Sequence, residues 1–248
     1  VFWGLYGGMN RTGMAPREWG EQRRLVEAIA AAGLTFRGLH YYDGHHRQVS
    51  LNERTAAAHR GYDELLEVAA RLEKAGKPAE EVITSGTPTL PCALSYAGFR
   101  GAHFVHRVSP GTVVYGDTSS IELLPEEYGY RPAALVISRV VSHPVPGIVT
   151  ADAGHKTVSA DAGVPTCAVI GRPELVPLGP SEEHLPIQVP AGAGEPAVGE
   201  FLYLLPRHIC PTVNNFDEAL IVANGGITRV ERVTARGREA PLRAAVAR

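Results

Sequence analysis

The chain has 248 residues, 44% of them apolar, enough for one large domain or two smaller ones around a real hydrophobic core. A formal net charge of −2, with both signs interspersed, excludes a basic stripe for nucleic acid and an acidic tail, and favours small, near-neutral partners. No run reaches the ~18 apolar residues of a membrane span, the opening Val1-Phe2-Trp3-Gly4-Leu5-Tyr6 lacks a secretion-signal layout, and Cys92, Cys167 and Cys210 do not make a disulfide framework, so a cytoplasmic location is expected.

In chain order, residues 2–6 read as a short apolar strand. Pro16 to Ala32 reads as a helix carrying Trp19, Leu25, Val26 and Ile29 on one face until Gly33 stops it. Thr35 to Tyr42 reads as a second strand running into a polar loop. A long helix follows from Asn52 to Ala75, turning Tyr62, Leu65, Leu66, Ala69 and Leu72 inward before Gly76 and Pro78 break it. Val82-Ile83-Thr84 and His103 to Val108 supply further strands. Alternating strands and helices predict a parallel sheet, closed or open, that presents ligands at the carboxyl ends of its strands. The functional loops are therefore expected after Tyr6, Tyr42, Thr84 and Val108.

From Ala133 the pattern turns to β-rich segments without long helices, at 134–141, 166–170, 185–189, 201–205, 219–222 and 227–234, punctuated by proline and glycine. The chain is thus α/β, with two domains expected at 1–124 and 125–248 and the division falling between Glu122 and Arg131.

Within the second half, Pro206-Arg207-His208-Ile209-Cys210-Pro211-Thr212 carries an imidazole and a thiol two residues apart. In an extended segment both project from one face and can hold one metal ion. Both ligand types suit zinc, and two protein ligands leave room for water or substrate. A buried thiol beside a hydrogen-bonded histidine accounts for the same residues without a metal. Upstream, His184 of Glu182-Glu183-His184 reads as a hydrogen-bonded structural histidine, with a place behind the ion or on the substrate side as the alternative, and the adjacent His45 and His46 are expected to point to opposite sides, His46 toward solvent.

Several segments occur in a telling order: Gly8-Met9-Asn10-Arg11-Thr12-Gly13, His40-Tyr41-Tyr42-Asp43-Gly44-His45, Ser85-Gly86-Thr87-Pro88-Thr89, Ser109-Pro110-Gly111-Thr112, Gly154-His155-Lys156, Glu182-Glu183-His184 and His208-Ile209-Cys210-Pro211-Thr212. Together they resemble the D-threonine aldolase and D-serine dehydratase family of pyridoxal-phosphate (PLP) enzymes, related to alanine racemase. The resemblance implies that residues 1–124 form the later portion of a cofactor-binding β/α (TIM-type) barrel and 125–248 a β-rich, metal-binding domain. It implies that Arg11 reaches the cofactor's ring or phenolate oxygen, that Tyr42 lies beside the ring with His40 as a second candidate, and that Gly86, Thr87, Gly111 and Thr112 serve the phosphate. The racemase branch has an arginine at the position of Ser109, so here the ring nitrogen is expected to meet a neutral group. His208 and Cys210 match the family's metal ligands, for zinc, manganese or magnesium, with the ion on the substrate's β-hydroxyl.

The family's cofactor-bearing lysine precedes the Gly8-Met9-Asn10-Arg11 segment. The three lysines present, Lys74, Lys77 and Lys156, match it nowhere. A full barrel takes about 250 residues, so the chain is expected to be the later portion of a longer enzyme, poorly soluble by itself because two sheet edges lack partners. The leading reading is a lyase for small D-β-hydroxy-α-amino acids that yields glycine and an aldehyde, working as a homodimer without nucleic-acid or membrane partners. A dehydratase outcome, racemisation, an inactive ligand-binding relative, and a zinc hydrolase using His45, His208 and Cys210 are the alternatives.

Overall fold

The computed structural model describes residues 1–48 and 50–237. The chain falls into two units, Val1–Val114 with Ser120–Tyr130, and Tyr115–Ser119 with the chain from Arg131 onward.

The first unit carries a four-stranded parallel sheet in sequential order, β1 (Phe2–Leu5), β2 (Gly38–Tyr41), β3 (Glu81–Thr84) and β4 (Val105–Val108). Helices α1 (Trp19–Ala31), α2 (Leu51–Lys74) and α3 (Leu90–Ser95) alternate with these strands, as in a segment of a β/α barrel. Trp3, Leu5, Leu39, Tyr41 and Val82 pack against Ala58, Tyr62, Leu65, Val68 and Leu72 of α2, burying the helical stripe that the spacing predicts. Leu66, expected inward, is only half-buried, while Arg54 is fully buried and donates to the carbonyls of Gln48 and Leu123.

Both long helices end alike. Gly33 and Gly76, at φ +70° and +71°, each donate to the carbonyl three residues back, and the next residue, Leu34 or Lys77, donates to the carbonyl five back. These paired bonds satisfy the last carbonyls, and only glycine adopts that backbone without strain. Helix α1 starts at Trp19 rather than Pro16, because residues 15–18 form a turn whose Ala15 carbonyl accepts from Gln22 Nε2 at 2.7 Å.

Where β3 begins, the buried Glu81 accepts from Arg37 Nε at 2.8 Å and from Arg107 Nε of β4 at 2.5 Å. These bonds, Arg107's foremost, hold its carboxyl below the ordinary range.

The second unit is built on a six-stranded antiparallel sheet, ordered β7-β10-β5-β6-β9-β8. Its strands are β5 (Val136–Val145), β6 (Ile148–Ala151), β7 (Cys167–Val169), β8 (Val176–Pro177), β9 (Leu185–Gln188) and β10 (Phe201–Pro206). Alternate residues such as Val136, Val140, Val149, Leu185, Leu202 and Leu204 form its core. Strands β6 and β8 were not expected. A separate hairpin joins β11 (Glu218–Ala223) to β12 (Gly226–Arg232) through Asn224 and Gly225, both at positive φ as a two-residue hairpin turn requires. Two further short helices are α4 (Thr118–Leu123) at the division and α5 (Ile209–Val213). No helix among the described residues is long and apolar enough to cross a membrane.

Candidate functional site

In the first unit the expected loops gather at the carboxyl ends of the strands. The loop after β1 is closed at its base, where Tyr6 N–H donates to Met14 O at 2.9 Å and Met14 N–H to Gly4 O at 3.0 Å. That closure presents Arg11, whose guanidinium lies 4.6 Å from the centroid of the Tyr42 ring. Leu5, Gly7, Arg11, His40 and Tyr42 line a cleft there. Burial first, and then the Arg11 charge, lowers the pKa of His40. Tyr42 is pinned by two glycines: a Cβ on Gly44 would lie 2.4 Å from its hydroxyl, and one on Gly86 3.0 Å from its ring edge.

Next to Tyr42 in sequence, Asp43 is fully buried, accepting from Tyr62 at 2.6 Å and from the Thr89 hydroxyl. The Thr89 oxygen in turn accepts from Gly86 N–H at 3.2 Å. Gly86 therefore contributes closeness, while its N–H is engaged within the loop. Thr87 Oγ1 accepts from Val113 N–H at 3.1 Å, which ties the loop after β3 to the turn containing Gly111 and Thr112. Gly111 is exposed, with open space where a Cβ would stand. Ser109 Oγ donates to Ser85 O at 3.0 Å.

His45 and His46 do not diverge. A turn closed by His46 N–H donating to Asp43 O brings their rings to 4.1 Å, and His46 is half-buried rather than solvent-facing. His45 Nδ1 and Ser85 Oγ are buried without partners. In the cleft itself, the Arg11 cation beside the Tyr42 ring suits an anionic aromatic ligand such as PLP.

In the second unit the extended reading of residues 206–212 is corrected. Strand β10 ends at Pro206, His208 is the last extended residue at φ −136° and ψ 106°, and Cys210 lies in the first turn of α5. The helix starts there because the buried Asp117 accepts from Ile209 N–H at 3.0 Å. The His208 and Cys210 side chains nevertheless meet in a hydrogen bond, and His208 Nδ1 lies 2.6 Å from Asp161 Oδ2. The Cys210 bond first, and Asp161 after it, push His208 up to about 9 against the effect of burial. Burial works to raise Asp161, but hydrogen bonds from His208 and Ser159 hold it below the usual carboxylate range. Nothing in the local spacing marked Asp161, which lies 47 residues from His208. Among the described residues no group of three or more His, Cys, Asp or Glu has the geometry to hold a metal ion. The nitrogen and sulfur pair is a donor set that suits zinc, with His208 Nδ1 bonded to Asp161.

The other expected motifs are structural in this unit. Lys156 pairs with Glu182 and Glu183, both at 3.2 Å, and His155 and Lys156 donate their N–H groups to Ser181 and Glu182 carbonyls. His184 is exposed. Lys74 and Lys77 are also exposed, at the end of α2 that leads into the start of β3, opposite the carboxyl ends of the strands.

Residues 133–222 match the protein-family model described as "Putative serine dehydratase domain". The chain is 28% identical to a D-threonine aldolase of Arthrobacter sp over 214 residues, covering 83% of this chain and 52% of the relative. It is 29% identical to a 3-hydroxy-D-aspartate aldolase of Paracoccus denitrificans over 218 residues, covering 85% and 54%. The solved D-threonine aldolase of Filomicrobium marinum superposes with a TM-score of 0.84 at 29% identity, covering 95% of this chain and 63% of that one. D-threo-3-hydroxyaspartate dehydratase from Delftia sp. HT23, at 22% identity and a TM-score of 0.77 over 96% and 66%, shares the fold. The chain spans about half the length of the curated relatives it matches. Part of a TIM-type barrel followed by a β domain, the chain is similar in sequence and in fold to D-threonine aldolase, and over residues 133–222 to the serine dehydratase domain.

Proposed function

We propose that the chain is the later portion of a PLP- and divalent-metal-dependent lyase that cleaves small D-β-hydroxy-α-amino acids to glycine and an aldehyde. The observation that carries this reading is the His208 imidazole paired with the Cys210 side chain at an accessible turn. Support comes from 29% identity to a solved D-threonine aldolase over 95% of the chain.

On this reading His208 and Cys210 hold the ion. Zinc is favoured by their nitrogen and sulfur over manganese or magnesium, which prefer oxygen. Arg11 offers a cation to an anionic ring oxygen, Tyr42 a fixed aromatic face, and Thr87, Gly111 and Thr112 polar groups to a phosphate, with Gly86 acting by its small size. Ser109, bonded to Ser85 O, brings no charge to a ring nitrogen. When bound, PLP supplies an electron sink for the substrate's Cα and the divalent ion a Lewis acid for its hydroxyl. The cofactor-bearing lysine is assigned outside these residues, since Lys74, Lys77 and Lys156 are all exposed and none lines the cleft. A cytoplasmic homodimer completes the proposal.

Assay of the complete gene product with D-threonine and D-serine, with and without chelator, tests it. Glycine and acetaldehyde from D-threonine, lost on chelation, is the expected result. Pyruvate and ammonia from D-serine would select the dehydratase outcome instead, the reading that the match over residues 133–222 favours. Ligand binding without turnover would select an inactive relative.

A further inference from the structure

We propose that Asp161 is the positioning residue for His208, fixing the imidazole so that Nε2 faces the ion. This rests on the reading of His208 and Cys210 as metal donors.

Four hydrogen bonds close a ring around the histidine. His208 Nδ1 donates to Asp161 Oδ2 at 2.6 Å. Asp161 Oδ1 accepts from the Ser159 hydroxyl at 2.8 Å. Ser159 N–H donates to Thr212 Oγ1 at 3.2 Å, and the Thr212 hydroxyl donates to the His208 carbonyl at 2.9 Å. The circuit leaves from the side chain of His208 and returns to its backbone, so rotation of the ring is restrained from both ends. Thr212, only 1% exposed, anchors it in α5.

The chemistry explains why such a ring is worth building. An imidazole has two nitrogens, and only the unprotonated one binds an ion. A carboxylate on Nδ1 keeps the proton there, turns Nε2 outward and raises its donor strength. An Asp161 that merely pinned its own loop would change stability and leave ion affinity alone.

Cobalt(II) is the probe, titrated into the full chain and read by its thiolate absorption band. The wild type is expected to bind, and His208→Ala and Cys210→Ser to lose the band. Asp161→Asn is expected to weaken cobalt binding on the order of 10- to 100-fold. Ser159→Ala should weaken it by about threefold. The double variant should bind no more weakly than Asp161→Asn, because Ser159 acts through Asp161. Unchanged affinity in a folded Asp161→Asn, or additive losses in the double variant, overturns the inference. Where Asp161→Asn does not fold, Ser159→Ala decides alone, and unchanged affinity there overturns it too. Failure of the wild type to show the band removes the metal reading itself, an outcome distinct from loss of the Asp161 role only.

Discussion

The phenol of Tyr62 donates to Asp43 Oδ2 at 2.6 Å, a bond between a helix in the core and the first turn of the loop that carries Tyr42. Both residues are fully buried, and burial, followed by the Asp43 charge, raises the Tyr62 phenol far above its ordinary value. Replacing Tyr62 with Phe leaves Asp43 only the Thr89 hydroxyl. Such a loss at a charged acceptor costs about 1.5–3 kcal/mol. Urea unfolding of Tyr62→Phe is expected to show it.

The Tyr42 ring leads to a contrast between two glycines. A Cβ at Gly86 would stand 3.0 Å from the Tyr42 ring edge and 3.1 Å from Gly44 Cα, whereas none at Gly111 would meet anything within 4 Å. Gly86→Ala should displace Tyr42 and cost about 1–3 kcal/mol as overpacking does. Gly111→Ala should stay within about 0.5 kcal/mol of wild type. A crystal structure and a melt of each variant would check both.

The half-buried histidines of the first unit set a pH dependence. Burial lowers the pKa of both His40 and His106 below 6.5. At these two sites the unfolded chain binds more protons than the folded one, so their contribution to stability rises with pH, whereas His208, pushed up to about 9, contributes stability that is lost as pH rises. The His40 and His106 ring protons should therefore titrate below pH 6.5 by NMR, and the His208 ring protons well above it.

Thiol reactivity should separate the cysteines. Cys92 and Cys167 are buried, and burial pushes Cys167 up to about 11, while Cys210 is exposed. One thiol per native chain is expected to react with a disulfide reagent, none in Cys210→Ser, and bound zinc should protect it.

The strands, the two long helices and the loops that gather around Tyr42 were legible because each rests on a period or a turn residue within a few positions. Helix α2 has 24 residues in which to repeat its pattern, and Gly76 marks its end. Helix α5 has five residues, and its start depends on Asp117, 92 residues away in sequence. Local spacing therefore read His208 and Cys210 as one strand face, although their side chains meet through a helical turn instead. The His45–His46 pair failed for a related reason: divergence holds for extended chain, and the Asp43 carbonyl had already bent that chain. Asp161 escaped because a lone aspartate in a glycine-containing loop carries no signal until His208 arrives beside it.

Glu81 gives the parallel sheet a lock that shape alone would not provide. Sliding β3 by two residues against its neighbours would preserve every inside-outside assignment while moving the carboxylate by about 6.5 Å. That shift would part it from Arg37 and Arg107 and break both ion pairs. The strand alignment that brings Tyr42, Gly86 and Thr87 level with one another is thus dictated at the far end of the sheet, by a charge triplet remote from the cleft it serves.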